Sequence, residues 1–118
     1  MKFKKSHIQA LIEHLPTFKL SAKASRGRQK IVNQLSEFHE ELVADVNDLK
    51  EKVESKALTE EEFTREAEDI LNENVTIDLT DYEHLASALQ EELEEYEETL
   101  SGKLSIVHDL ILSELERI

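Results

Sequence analysis

Two charged stretches hold the residue types in this sequence that could do chemistry. The first, Lys19-Leu-Ser-Ala-Lys-Ala-Ser-Arg-Gly-Arg-Gln-Lys30, packs five bases into twelve residues. Guanidinium groups grip phosphate through paired hydrogen bonds, so Lys23, Arg26, Arg28 and Lys30 are candidates for a phosphate or nucleic-acid contact. The second places six glutamates between Glu91 and Glu98. Glu91, Glu94, Glu95 and Glu98 could imitate a row of phosphates and occupy the basic groove of a nucleic-acid-binding protein. Each stretch also has a plainer reading. Bases at a helix start oppose the helix dipole, and pairing with the glutamate run would relieve that. The glutamate run keeps Leu93, Tyr96 and Leu100 in heptad order, as a solvated helix with one buried edge does. The basic stretch lacks stacking aromatics and the whole chain carries a net charge of −13, both of which disfavour nucleic acid as the ligand.

Other catalytic or ligating sets are absent from the sequence. With no Cys there is neither a thiolate nucleophile nor a disulfide framework. The five histidines (His7, His14, His39, His84 and His108) are scattered. Asp81 and His84 would make half a metal site at most, because no HExxH motif and no repeated Glu-x-x-His pair accompanies them. Gly27 and Gly102 are too isolated to form a phosphate-cradling loop. The expectation is a non-enzymatic protein with no cofactor, no metal and no small-molecule substrate.

Charge is divided along the chain. Residues 1–30 carry eight bases against one acid, a net +7, whereas residues 31–118 carry six bases against 26 acids, a net −20. Such a dipole bears on partners and self-association more than on fold. The length, 118 residues, suits one domain, 1–118. The N-terminal bases are followed by no long apolar stretch, so neither a signal peptide nor a membrane span is expected, and the cytosol of the producing cell is the simplest location.

Two Gly, one Pro and 35% charged residues predict long helices with few connections. Met1–Lys5 alternates apolar and basic residues, as a short strand does; Ser6 is placed to cap a helix whose inner face is Ile8, Leu11, Ile12 and Leu15, with Pro16 ending it. Asn74 to Leu89 repeats this order, with Val75, Ile77 and Leu79 alternating before a Thr80–Glu83 capping box. Pairing of the two strand segments would bring Lys2, Lys4 and Lys5 near Asp78. From about Ser25 to Lys56, Ile31, Leu35, Phe38, Leu42, Val46, Leu49 and Val53 recur at near-heptad spacing. A rod this long needs a second long helix, from the same chain or from another copy. Thr59 with Glu62 forms a capping box and Leu58 with Phe63 a hydrophobic staple, so a return helix starts there. A further helix should run from Thr80 to Leu100, ended by Ser101-Gly102, and a last one over Lys103–Ile118 has an apolar stripe wide enough for a bundle centre or a subunit interface.

Two motifs also carry a resemblance. Phe18-Lys-Leu-Ser-Ala-Lys-Ala-Ser-Arg-Gly-Arg28, leading into the long helix, and Leu100-Ser-Gly-Lys-Leu-Ser-Ile-Val-His-Asp-Leu110 resemble a family of small proteins of unknown function encoded by phages and prophages of Gram-positive bacteria. That family's pattern is Leu-x-Leu-x-Gly/Ala-Lys-x-Ser-Arg-x-Arg near the N-terminus and Leu-Ser-Gly, then Tyr-Asp, near the C-terminus. Ala22, Lys23, Ser25, Arg26 and Arg28 match the first element, and Leu100, Ser101, Gly102 and Asp109 the second, with His108 standing where the family often has Tyr. The resemblance implies a virion-associated, tail-associated or accessory phage protein and supplies no mechanism.

The sequence thus predicts an all-α or nearly all-α antiparallel bundle of four to five helices, one of them long, with room for a minor two-stranded pairing of residues 1–5 with 74–79. The function expected is protein–protein contact: self-association as a homodimer or higher, coiled-coil in character, or binding to a phage structural or host protein. The acidic nucleic-acid mimic is the alternative.

Overall fold

The computed structural model describes residues 1–118 and is predominantly helical, with five α-helices and one two-stranded antiparallel sheet. The elements are β1 (Lys2–Lys4), α1 (Ile8–His14), α2 (Ala22–Glu54), α3 (Glu60–Leu71), β2 (Asn74–Thr76), α4 (Glu83–Glu94) and α5 (Lys103–Leu115). No helix is long and apolar enough to cross a membrane.

The strands pair Lys2 with Thr76, Phe3 with Val75 and Lys4 with Asn74. Alternation sends Phe3 and Val75 into the core and leaves their neighbours outside. Asp78 lies beyond this ladder. Its expected lysine partners are elsewhere: Lys5 pairs with Glu73 at 2.7 Å, because register puts Lys5 opposite the residue before β2. Ser6 caps nothing; it sits inside a 3-10 turn, Lys5–His7, that delivers the chain into α1.

The long helix α2 begins three residues before Ser25, with Ser21 as its cap accepting from the Ala24 amide at 3.3 Å. Its 33 residues rise about 50 Å, which matches the molecule's 51 Å long axis. The radius of gyration is 16.6 Å, against about 13.5 Å for a compact chain of this length. The difference comes from an arm. The first half of α2 packs with α1 and α4, and α5 packs on α1 and α4 in turn, in a head whose 17-residue core draws on every element except α3. The second half leaves the head and meets only α3, which returns beside it. Gln34 clasps the backbone of Asp78 where the chain re-enters the head, its side chain donating to the Asp78 carbonyl at 2.7 Å and accepting from the amide at 2.9 Å.

Close packing in the head depends on Gly27. A Cβ there would lie 2.7 Å from the Leu85 carbonyl oxygen, so α4 crosses α2 at a distance that only glycine permits. The Thr59–Glu62 capping box is present at the start of α3. The one expected at Thr80 is not. Thr80 gives both its hydroxyl and its amide to the Asp78 carboxylate, and α4 starts at Glu83 with no side-chain cap. Nor does α4 continue to Leu100. It stops at Glu94, where glutamates crowd a helix end whose dipole prefers cations. Gly102 accordingly ends no helix; with φ 58° it precedes α5. On α5 Val107, Ile111 and Leu115 are buried while Ile106 is 59% exposed, so this helix flanks the head, packed on α1 and α4.

Candidate interaction site

The sequence-selected bases have different fates. Arg28 is half-buried and turned inward: its guanidinium donates to the carbonyls of Leu15 at 3.2 Å and Phe18 at 2.7 Å and to the Ser25 hydroxyl at 2.7 Å. It ties the end of the first helical segment to the first turns of α2, which is a structural task. Lys30 sits 4.7 Å from the centroid of the Tyr82 ring, a cation–π contact. Lys23 and Arg26 are exposed and reach no carboxylate within 4 Å. Of the five bases only Lys19 pairs with the glutamate run, at 3.2 Å to Glu98.

The dipole at the start of α2 is answered differently. Glu92 of α4 accepts from the Ser21 amide at 2.7 Å and from the Ser21 hydroxyl, placing an acid at the helix N-terminus. The glutamate run itself is split: Glu91 and Glu94 lie on α4, while Glu95 and Glu98 lie in the non-helical connection after it. Glu94 accepts from Gln90 at 3.0 Å, and Glu98 accepts from the Tyr96 hydroxyl at 3.2 Å. Glu91 and Glu95 are exposed without such partners. The expected phosphate-like row on one continuous helix is therefore broken at its midpoint by the end of α4.

That break is held by an aromatic group that sequence reasoning missed. Phe18 and Tyr96 meet edge to face with centroids 5.2 Å apart, and His108 lies 6.1 Å and 6.4 Å from them. His108 Nε2–H donates to the Leu93 carbonyl at 2.7 Å, satisfying an orphan acceptor of the last turn of α4. The Tyr96 hydroxyl accepts from the Lys19 amide at 3.1 Å. These residues come from three separated segments, and no local pattern joins them.

The largest cleft, about 580 Å³, lies where the N-terminus, the exit of β2 and the end of α5 converge. Glu114 binds the Lys2 amide at 2.6 Å and Arg117 at 3.1 Å there. The Thr80 hydroxyl and amide hold the Asp78 carboxyl below the usual carboxylate range. Thr80 is thus committed to Asp78, and no histidine or lysine side chain is bonded to it. The cleft lacks the paired nucleophile and base of acyl or phosphoryl transfer. Nowhere are three or more His, Asp or Glu side chains grouped to hold a metal ion, and Asp81 and His84 are both exposed.

The arm presents a different kind of surface. Leu42 and Leu49 of α2 are buried, but α3 buries no residue: Phe63, Ala67 and Ile70 are half-covered and Leu71 is 36% exposed. Facing them, Val46 and Val53 are half-covered and Val43 is 44% exposed. A two-helix layer covers an apolar seam on one side only. Around this seam, residues 37–73 hold fourteen acids and four bases, a net −10. Of those acids only Asp48 and Glu73 are in ion pairs, with Lys52 and Lys5. Periodicity located the apolar residues of both helices, but only the packing shows which of them stay uncovered. No protein-family model, no curated protein and no solved structure matches this chain.

Proposed function

We propose that this is a non-enzymatic phage or prophage protein that works through protein–protein contacts made by the α2–α3 arm. The carrying observation is the half-covered apolar seam of that arm, from Val43 and Leu71 to Val53 and Phe63. Exposed apolar surface costs about 25 cal/mol per Å² relative to burial, so a surface built this way favours a partner. The phage assignment, and with it a place in the host cytoplasm or the virion, rests on the two sequence motifs. Part of the first motif has a structural reason to exist in Arg28, which joins two segments of the head.

Self-association is a second reading, favoured by the seam's extent and opposed by the charge, since two copies bring −10 against −10. The nucleic-acid mimic is weaker than either, because α4 ends at Glu94 and Glu92 and Glu98 are engaged within the protein. Photocrosslinking tests the main reading: a photoreactive residue at Val43 or Leu71 should trap one discrete product in phage-producing cells, and one at Ile106 should not. Equal, diffuse crosslinking from all three sites would end the proposal.

A further inference from the structure

Resting on the reading of the arm as the contact surface, we propose that its open seam receives a basic amphipathic helix of a partner protein. The seam has two banks. On α2, Val43, Val46, Lys50 and Val53 recur at steps of 3, 4 and 3, and on α3, Glu60, Thr64, Ala67 and Leu71 recur at steps of 4, 3 and 4, so each set forms one stripe. Near the tip the banks enclose a groove of about 440 Å³ lined by Lys50, Val53, Glu54, Glu60, Phe63 and Thr64. Helical spacing carries the same groove toward the head to Val43 and Leu71, where exposure is greatest. From Val43 to Val53 the floor is about 15 Å long, enough for three turns of helix. A third helix laid there would cover the seam as α4 covers the first half of α2, with apolar residues at i, i+3, i+4 and i+7 facing Val43, Val46, Phe63 and Leu71.

Charge selects the kind of helix. The arm's net −10 is almost wholly unpaired, with Glu54 and Glu60 lining the groove itself. A second copy of this arm, or a nucleic acid, would add anions to anions. Lysines or arginines flanking the apolar face of an incoming helix would meet the rims, speed the encounter and fix orientation. Lys50 on the α2 bank adds a detail: the incoming helix presents no base at that level.

The test uses the full-length protein and a synthetic amidated peptide of about 18 residues containing only leucine and lysine, its leucines on one helical face. A second peptide has the same composition with leucines distributed around the helix. Titration calorimetry should give a 1:1 complex with the first peptide, weakened by added salt, and at least about tenfold weaker binding of the second. Val43→Ser with Leu71→Ser should weaken the first peptide by at least about tenfold, whereas Ile106→Ser, more exposed than either but off the arm, should leave it unchanged. Circular dichroism should show all variants folded, since these side chains already face solvent. Equal binding of the two peptides, indifference to the arm variants, or several peptides per chain would reduce the effect to bulk charge and overturn the proposal. If the peptide fails to bind while the protein sediments as a dimer that the arm variants dissociate, the occupant is a second copy; the partner proposed here is then wrong and the arm reading stands. A monomer that binds no peptide and gives no arm crosslinks removes both.

Discussion

Replacing Gly27 by Ala tests the architecture of the head most directly, because the general rule and the structure predict opposite signs. In the interior of an ordinary helix this exchange stabilises by about 1 kcal/mol, since alanine loses less backbone freedom. Here the new methyl group would stand 2.7 Å from the Leu85 carbonyl oxygen and 3.1 Å from its carbon. Restoring ordinary contact requires α4 to withdraw by about 0.7 Å, the distance between that 2.7 Å and the 3.4 Å of an acceptable neighbour. Backbone cannot swing aside as a side-chain tip can. The withdrawal would loosen Leu85, Ala86, Leu89 and Leu93, all buried. Overpacking costs about 1–3 kcal/mol, and a clash with backbone falls in the upper part of that range, about 2–3 kcal/mol; less the propensity gain of about 1 kcal/mol, the net loss is about 1–2 kcal/mol. For a chain of this size that lowers the melting midpoint by roughly 4–8 °C. Thermal and urea unfolding followed by circular dichroism would measure it, with Asn47→Ala, exposed on the arm, as the control that should gain about 0.5 kcal/mol. A Gly27→Ala variant at or above the wild-type midpoint would refute the close crossing.

Three further outcomes are expected. Arg28→Ala should cost about 1.5–3 kcal/mol in urea unfolding, with Arg28→Lys recovering only part because an ammonium cannot span both carbonyls, while Arg26→Ala should change stability by less than about 0.5 kcal/mol. Thr59→Ala, which removes half of the capping box, should cost about 1 kcal/mol, seen by hydrogen exchange as faster amides in α3 with the head little changed; uniform acceleration would contradict a separable arm. Asp78 has its folded pKa depressed by Thr80, so its contribution is present above the unfolded value near 3.8 and is lost as pH falls through the folded value. The stability difference between wild type and Asp78→Asn should therefore shrink as pH drops from 7 to 3, and a difference that grows would reverse the assignment.

Most of the fold was legible where a local rule had no tertiary competitor. The heptad spacing of Ile31 to Val53 gave α2, the Thr59–Glu62 pair gave the start of α3, and alternation around Phe3 and Val75 gave the strand pair. The misreadings share a cause. Thr80 and Glu83 have capping-box spacing, but Asp78, two residues upstream, takes the Thr80 hydroxyl. Leu93, Tyr96 and Leu100 have heptad spacing, but Tyr96 packs on Phe18 and His108 from outside the helix. Gly27 read as an isolated glycine because its meaning lies in α4, more than fifty residues away. For the candidate site, composition revealed that the chain was acidic but not that the arm with the uncovered seam carries twelve acids outside any ion pair. That coincidence needed the course of α3.

The clasp between Gln34 and Asp78 has one more consequence. It places the point where the chain departs from the head beside the point where it returns, so everything between is an excursion whose reach the head does not sense. Removing one heptad from the outgoing helix and its counterpart from the incoming one would shorten the molecule by about 10 Å while keeping each remaining side chain close to its present face. Reach is thus a dimension along which such a chain can be lengthened or trimmed, by evolution or by design, without renegotiating the packing that keeps it folded.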